Sequence, residues 1–153
     1  MHITSIPLVG TSLMFLLPFY AAVDTQNTIT AVCWGALTCT STLVHITKQP
    51  YHIYGPGNVI PWLYALDVAT LYAAVVRALM DGWAGGPLGF FMSSFVISYA
   101  AVMFYLGQRW KRFVYDTHLD MAILSHATVH LLCSLGGVGV IYIRSLKNGQ
   151  QIS

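Results

Sequence analysis

Five apolar runs, separated by short polar or Gly/Pro-rich breaks, fill almost all of this 153-residue chain. They cover residues 6–23, 28–47, 60–80, 88–107 and 119–143. At a rise of about 1.5 Å per residue, helices of this length cross a hydrocarbon core of about 30 Å. Only 8% of the residues are charged and 56% are hydrophobic. A soluble domain carries about 25% charged residues, so this chain has too few charges to coat a surface facing water. The expected fold is all-α, a polytopic transmembrane bundle of about five helices. Residues 1–153 form one domain and the protein is a multi-pass integral membrane protein.

The breaks have their own chemistry. Asp24-Thr25-Gln26-Asn27 makes a polar turn. Lys48-Gln49-Pro50 ends the second run, and Gly55-Pro56-Gly57 follows as a strong breaker. Pro61 suits the first turn of a helix, where its missing N–H costs nothing. Trp62 and Tyr64 suit an interfacial aromatic belt. Asp81-Gly82-Trp83-Ala84-Gly85-Gly86-Pro87 reads as a loop. Gln108 to Asp116 reads as a loop or interfacial turn, and the polar tail is expected from Arg144.

Pro7 and Pro18 interrupt the first run, and Ala21-Ala22 would suit a signal-peptide cleavage point. A transmembrane helix is the preferred reading, because the preceding residues lack Lys and Arg. The side of the membrane at the C-terminal end of the second helix (here the upper side) holds Lys48, Arg109, Lys111 and Arg112. The lower side holds Arg77, Arg144 and Lys147. The positive-inside rule then makes the upper side cytoplasmic. Cys33, Cys39 and Cys133 all lie in apolar runs with no C-x-x-C pair, which argues against a disulfide framework and a thiolate zinc site. A net charge of +2 gives no basis for binding nucleic acid. Membrane lipid is the expected partner.

Against this apolar background, three histidines and an aspartate stand within the runs and draw attention: His45, Asp67, His126 and His130. Ionisable groups are costly in hydrocarbon and mark functional sites there. Alternating up and down spans bring all four to one membrane level. His126 and His130 are four residues apart, on one face of the last helix. Ser41 is four residues before His45, also on one face. Three imidazoles with an open fourth position match a catalytic zinc site. Zinc lowers the pKa of a bound water toward about 7 and polarises a carbonyl. Asp67 is the candidate to orient that water or act as general base, and Ser41 the candidate hydrogen-bond donor to a developing oxyanion. Each residue alone has a plainer reading. A lone intramembrane His is usually a hydrogen-bonded core residue, and an H-x-x-x-H pair can bridge two helices. Asp67 can bond to backbone or Tyr64, and Ser41 can serve helix contact. The convergence of level carries the functional reading.

His2 and His52 are weaker candidates. His118 and Asp120 could form a second shell or an entrance, and Cys133 reads as a small apolar filler. Gly136, Gly137 and Gly139 fit tight helix packing below the site. Arg77 and Asp81, four apart, read as a local ion pair.

Ser41-Thr-Leu-Val-His45, Leu66-Asp67-Val68 and Ser125-His126-Ala-Thr-Val-His130 together resemble the motifs of the CREST group of membrane proteins. That group includes alkaline ceramidases, progestin and adipoQ receptors and myomaker-like proteins. The stretch from His45 through Gln49-Pro50 to Asp67 looks most like the myomaker-like branch. The resemblance covers roughly residues 36–80 and 120–140. It implies a zinc ion held by His45, His126 and His130, Asp67 holding the metal-bound water, Ser41 lining the site, and hydrolysis of a lipid amide or ester. Family members usually have seven helices. This chain resembles a shortened member with two helices missing between the Asp helix and the last one, a change that preserves membrane parity. The alternative readings are a non-catalytic structural or accessory subunit of a membrane complex, and haem ligation by two histidines on different helices.

Overall fold

The computed structural model describes residues 6–47 and 60–149. Within them every apolar run is helical, and no strand occurs among the described residues. We label the spans α1 (Ile6–Asp24), α2 (Thr28–Thr47), α3 (Pro61–Ala84), α4 (Pro87–Trp110) and α5 (Leu119–Lys147), and each is long and apolar enough to cross a membrane. The expectations placed on Lys48, His52, Gly55-Pro56-Gly57 and His2 lie outside the described residues.

α1 is not a uniform α-helix. It tightens to a 3₁₀ turn over Leu13–Phe15, one turn ahead of Pro18. Proline has no N–H and its ring crowds the carbonyl four residues earlier, here Met14. The tighter turn accommodates both effects. Ala21 and Ala22, the small pair a cleavage site would use, are buried in the core with Phe15 and Trp34.

Three boundaries differ from the sequence reading, and two of them share a cause. α3 runs through Asp81 to Ala84 instead of ending at Met80, and α5 runs to Lys147 instead of yielding a polar tail at Arg144. The reason is electrostatic. Asp81 and Arg144 look like loop residues, yet they bond to each other inside the bundle, so neither forces the helix to end. The α3–α4 connection therefore shrinks to Gly85-Gly86. Gly86 takes φ +85°, a conformation a side chain would strain. At the other end of α4 the helix continues to Trp110, Lys111 turns left-handed at φ 53°, and a short 3₁₀ turn covers Phe113–Tyr115.

Sequential helices pack side by side, and the ring closes where α1 and α3 both meet α5. The backbones of α2 and α5 barely approach one another. What lies between them is filled by side chains. Lower down, α5 is pressed close to its neighbours. A Cβ on Gly136 would meet the Val96 side chain at 2.5 Å, and one on Gly137 would meet Trp34 at 2.7 Å. Small residues there let the backbones approach. Higher up, Val114 is fully buried against Met103 and Val129, so the 3₁₀ turn plugs the upper end between α4 and α5.

Candidate metal centre

The gap between α2 and α5 is where the three intramembrane histidines meet. His45 enters from the last turn of α2, and His126 and His130 enter from successive turns of α5. All three are buried, at 4%, 8% and 5% exposure. Each offers one ligand nitrogen, and these nitrogens lie within 4.8 Å of one another. The ring centroids are 5.0 Å apart for His45–His126, 5.4 Å for His45–His130 and 4.6 Å for His126–His130. The planes are inclined by 79°, 60° and 80° respectively. Steeply inclined rings cannot stack; they can point lone pairs at a common centre.

A zinc–nitrogen bond of about 2.0–2.1 Å in a tetrahedral site puts ligand nitrogens about 3.3 Å apart. The observed nitrogens, within 4.8 Å of one another, exceed that spacing by at most about 1.5 Å. Three imidazoles, with no thiolate or carboxylate in the cluster, form a donor set suited to zinc and to other borderline divalent ions.

The surroundings fix one of these rings. Thr11 Oγ1 lies 3.1 Å and Ser12 Oγ 3.5 Å from His130 Nδ1. Both hydroxyls donate to the Leu8 carbonyl, at 3.2 and 2.8 Å. When both protons go to Leu8, both oxygens meet Nδ1 as acceptors. That favours the tautomer with the proton on Nδ1 and leaves the Nε2 lone pair for a cation. Metal-ligating histidines commonly show this outer arrangement. Phe15 closes one side of the His130 ring at 5.0 Å, and Phe104 one side of His126 at 5.6 Å.

Ser41 is buried and its Oγ lies 3.1 Å from Ser12 Oγ. It joins the site through the hydroxyl pair of α1. Asp67 is not part of the histidine cluster. Its Oδ1 accepts from Thr40 Oγ1 at 3.0 Å, and Thr40 also meets Thr70 Oγ1 at 2.8 Å. Thr40 precedes Ser41 directly, so Asp67 is held at the level of Ser41, about one turn below His45.

His118 and Asp120 are exposed at the start of α5, apart from the cluster; the His118 N–H donates to Asp116 at 2.8 Å. Cys133 packs against the hydrophobic core, as a small filler would. Thr11, Ser12 and Thr40 were missed in the sequence reading. Their one signal is position: Thr11-Ser12 is the polar pair of the first run, and Thr40 adjoins the Ser41 motif. No family model, curated protein or solved structure matches this chain.

Proposed function

We propose that the chain is a compact zinc-dependent integral-membrane hydrolase of a lipid amide or ester, a shortened relative of the CREST group. One observation carries the reading: three buried imidazoles from two separated helices, with ligand nitrogens within 4.8 Å of one another. His45, His126 and His130 would hold the metal. When bound, zinc supplies Lewis-acid polarisation of a carbonyl and makes water acidic near neutral pH. Thr11 and Ser12 orient His130. Asp67, held by Thr40, would be the carboxylate that accepts a proton from attacking water. Ser41 lines the site and donates to an oxyanion as charge develops.

The Val114 plug at the upper end favours lateral entry from the bilayer. Haem fits less well, because three rings at centroid distances of 4.6 to 5.4 Å leave no slab for a porphyrin. The accessory-subunit reading draws support from α3 and α4, whose apolar windows are only 11% buried within the bundle. Those faces suit lipid or partner helices equally.

The test is metal content. Protein purified in mild detergent should carry about one zinc per chain, lost in a His126→Ala/His130→Ala variant, and should release fatty acid from lipid amides or esters. Metal-free protein that binds no added zinc removes the enzyme reading. Bound zinc without turnover on any lipid leaves the structural role.

A further inference from the structure

A second polar cluster lies at the lower end of the bundle, away from the histidines. Asp81 is 1% exposed. Its Oδ1 accepts from Arg77 Nη2 at 2.7 Å and from Arg144 Nη1. Its Oδ2 accepts from Thr30 Oγ1 at 2.6 Å and Asn27 Nδ2 at 3.4 Å. Arg77 is largely used up within the protein, since its Nε donates to Thr30 at 2.8 Å and its Nη2 also reaches Asn27 at 3.3 Å.

Two guanidiniums therefore share one carboxylate, and the cluster carries one positive charge in excess. The surplus belongs to Arg144. Of its donors, only Nη1 meets a protein acceptor among the described residues, and its side chain is 27% exposed. Lys147 follows three residues later on the same face of α5. Its Nζ lies 3.4 Å from where a Cβ would stand on Gly86, so the side chain folds over the α3–α4 turn beside Arg144. Asp24 is the other carboxylate at this end, and its Oδ2 accepts from Tyr142 at 3.3 Å. Tyr142 precedes Arg144 by two residues, about 200° round the helix, so Asp24 meets a different side of α5.

The depth matters as well. α1 and α3 end here, α2 and α4 begin here, and α5 ends here, which is the headgroup level for a chain whose helices cross a bilayer. A partly exposed guanidinium whose Nε and Nη2 meet no protein acceptor among the described residues keeps a fork that matches two phosphate oxygens, and an ammonium three residues on adds a point charge. We infer that Arg144 and Lys147, over the Gly85-Gly86 turn, form a binding site for a phosphate-bearing anion, the chemistry shared by a phospholipid headgroup and free phosphate. The site is independent of the histidine cluster and of the hydrolase reading.

The full chain in mild nonionic detergent provides the test. Its thermal unfolding midpoint is followed against phosphatidylglycerol, phosphatidylcholine and inorganic phosphate, and native mass spectrometry reads retained lipid. Phosphatidylglycerol should raise the midpoint and stay bound more than phosphatidylcholine does. Lys147→Gln should weaken that response about fivefold per charge removed, with the lipid-free midpoint unchanged. Lys111→Gln, at the opposite end, should leave it intact. A response to inorganic phosphate alone assigns the site to free phosphate; a response to anionic lipid alone assigns it to the headgroup. Arg144→Gln also uncovers Asp81 and can destabilise the fold, so Lys147→Gln decides. Equal responses of wild type, Lys147→Gln and Lys111→Gln, or no response of the wild type to either anion, overturn the site.

Discussion

Thr11 Oγ1 stands 3.1 Å from His130 Nδ1, across 119 positions of sequence. This contact ties the first helix to the last at the level of the histidines. It also separates two views of the cluster. If the rings only pack, the hydroxyls merely satisfy a buried nitrogen. If they hold a metal, the hydroxyls set which nitrogen is free to bind it.

A Thr11→Val/Ser12→Ala variant distinguishes the two. Loss of an outer partner to a ligating histidine typically weakens metal binding about 10–100-fold. Zinc affinity, measured by competition with a chromogenic chelator, should fall in that range while the far-ultraviolet helical signal is kept. Thr11→Ser in the Ser12→Ala background should restore most of it. Unchanged affinity in the double variant would mean that His130 is not a ligand through Nε2.

Asp67 requires a different readout. It lies outside the histidine cluster and is held by Thr40. A proton-accepting role therefore predicts that Asp67→Asn keeps zinc stoichiometry and lowers turnover by about 10²–10⁴-fold. Thr40→Val, which leaves the carboxylate but removes a hydrogen bond to it, should lower turnover by less. If Asp67→Asn protein loses its metal, the carboxylate supports the ligands instead, and its catalytic assignment fails.

The histidine trio was legible because two physical rules sufficed. Residues four apart share a helix face, which pairs His126 with His130, and alternating spans set the depth of His45 against them. The hydroxyls of Thr11 and Ser12 were not legible in the same way. Hydroxyls are common in apolar helices, and nothing local to Thr11 points to a ring more than a hundred residues away. The lower ends of α3 and α5 were misread for a related reason. Asp81 and Arg144 are 63 residues apart and each reads alone as a break; only their pairing makes them helix-compatible. The expected Arg77–Asp81 pair is present at 2.7 Å, but as one edge of a network that also draws in Asn27, Thr30 and Arg144.

That network predicts a shared energetic effect. Removing the carboxylate leaves two guanidiniums facing each other, and breaking a fully buried pair costs about 3–5 kcal/mol. Arg77 and Arg144 keep side-chain exposures of 13% and 27%, so water offsets part of this. Asp81→Asn should cost about 2–3 kcal/mol in mixed-micelle unfolding, below that range because of solvent screening. Adding Arg144→Gln should cost less than the sum of the two single changes, because both act on one network. Strict additivity would show that Asp81 and Arg144 do not interact in the membrane-mimetic state.

Gly137 links the packing below the site to the site itself. A Cβ there would lie 2.7 Å from Trp34 Cζ2 and 3.1 Å from Pro18 Cβ. Trp34 is 5% exposed and cannot swing outward. Its ring sits 5.8 Å from Phe15, and Phe15 sits 5.0 Å from His130. Gly137→Ala should therefore cost about 1–3 kcal/mol from overpacking, despite the better helix propensity of alanine. The displaced Trp34 should pass part of its shift through Phe15 and weaken zinc binding. Gly10→Ala is the control: nothing lies within 4 Å of the added methyl, so stability should be unchanged or rise by up to about 1 kcal/mol. Mixed-micelle unfolding and chelator competition on both variants read the two effects separately. Equal behaviour of Gly137→Ala and Gly10→Ala would show that α1 and α5 are not pressed together beneath the histidines.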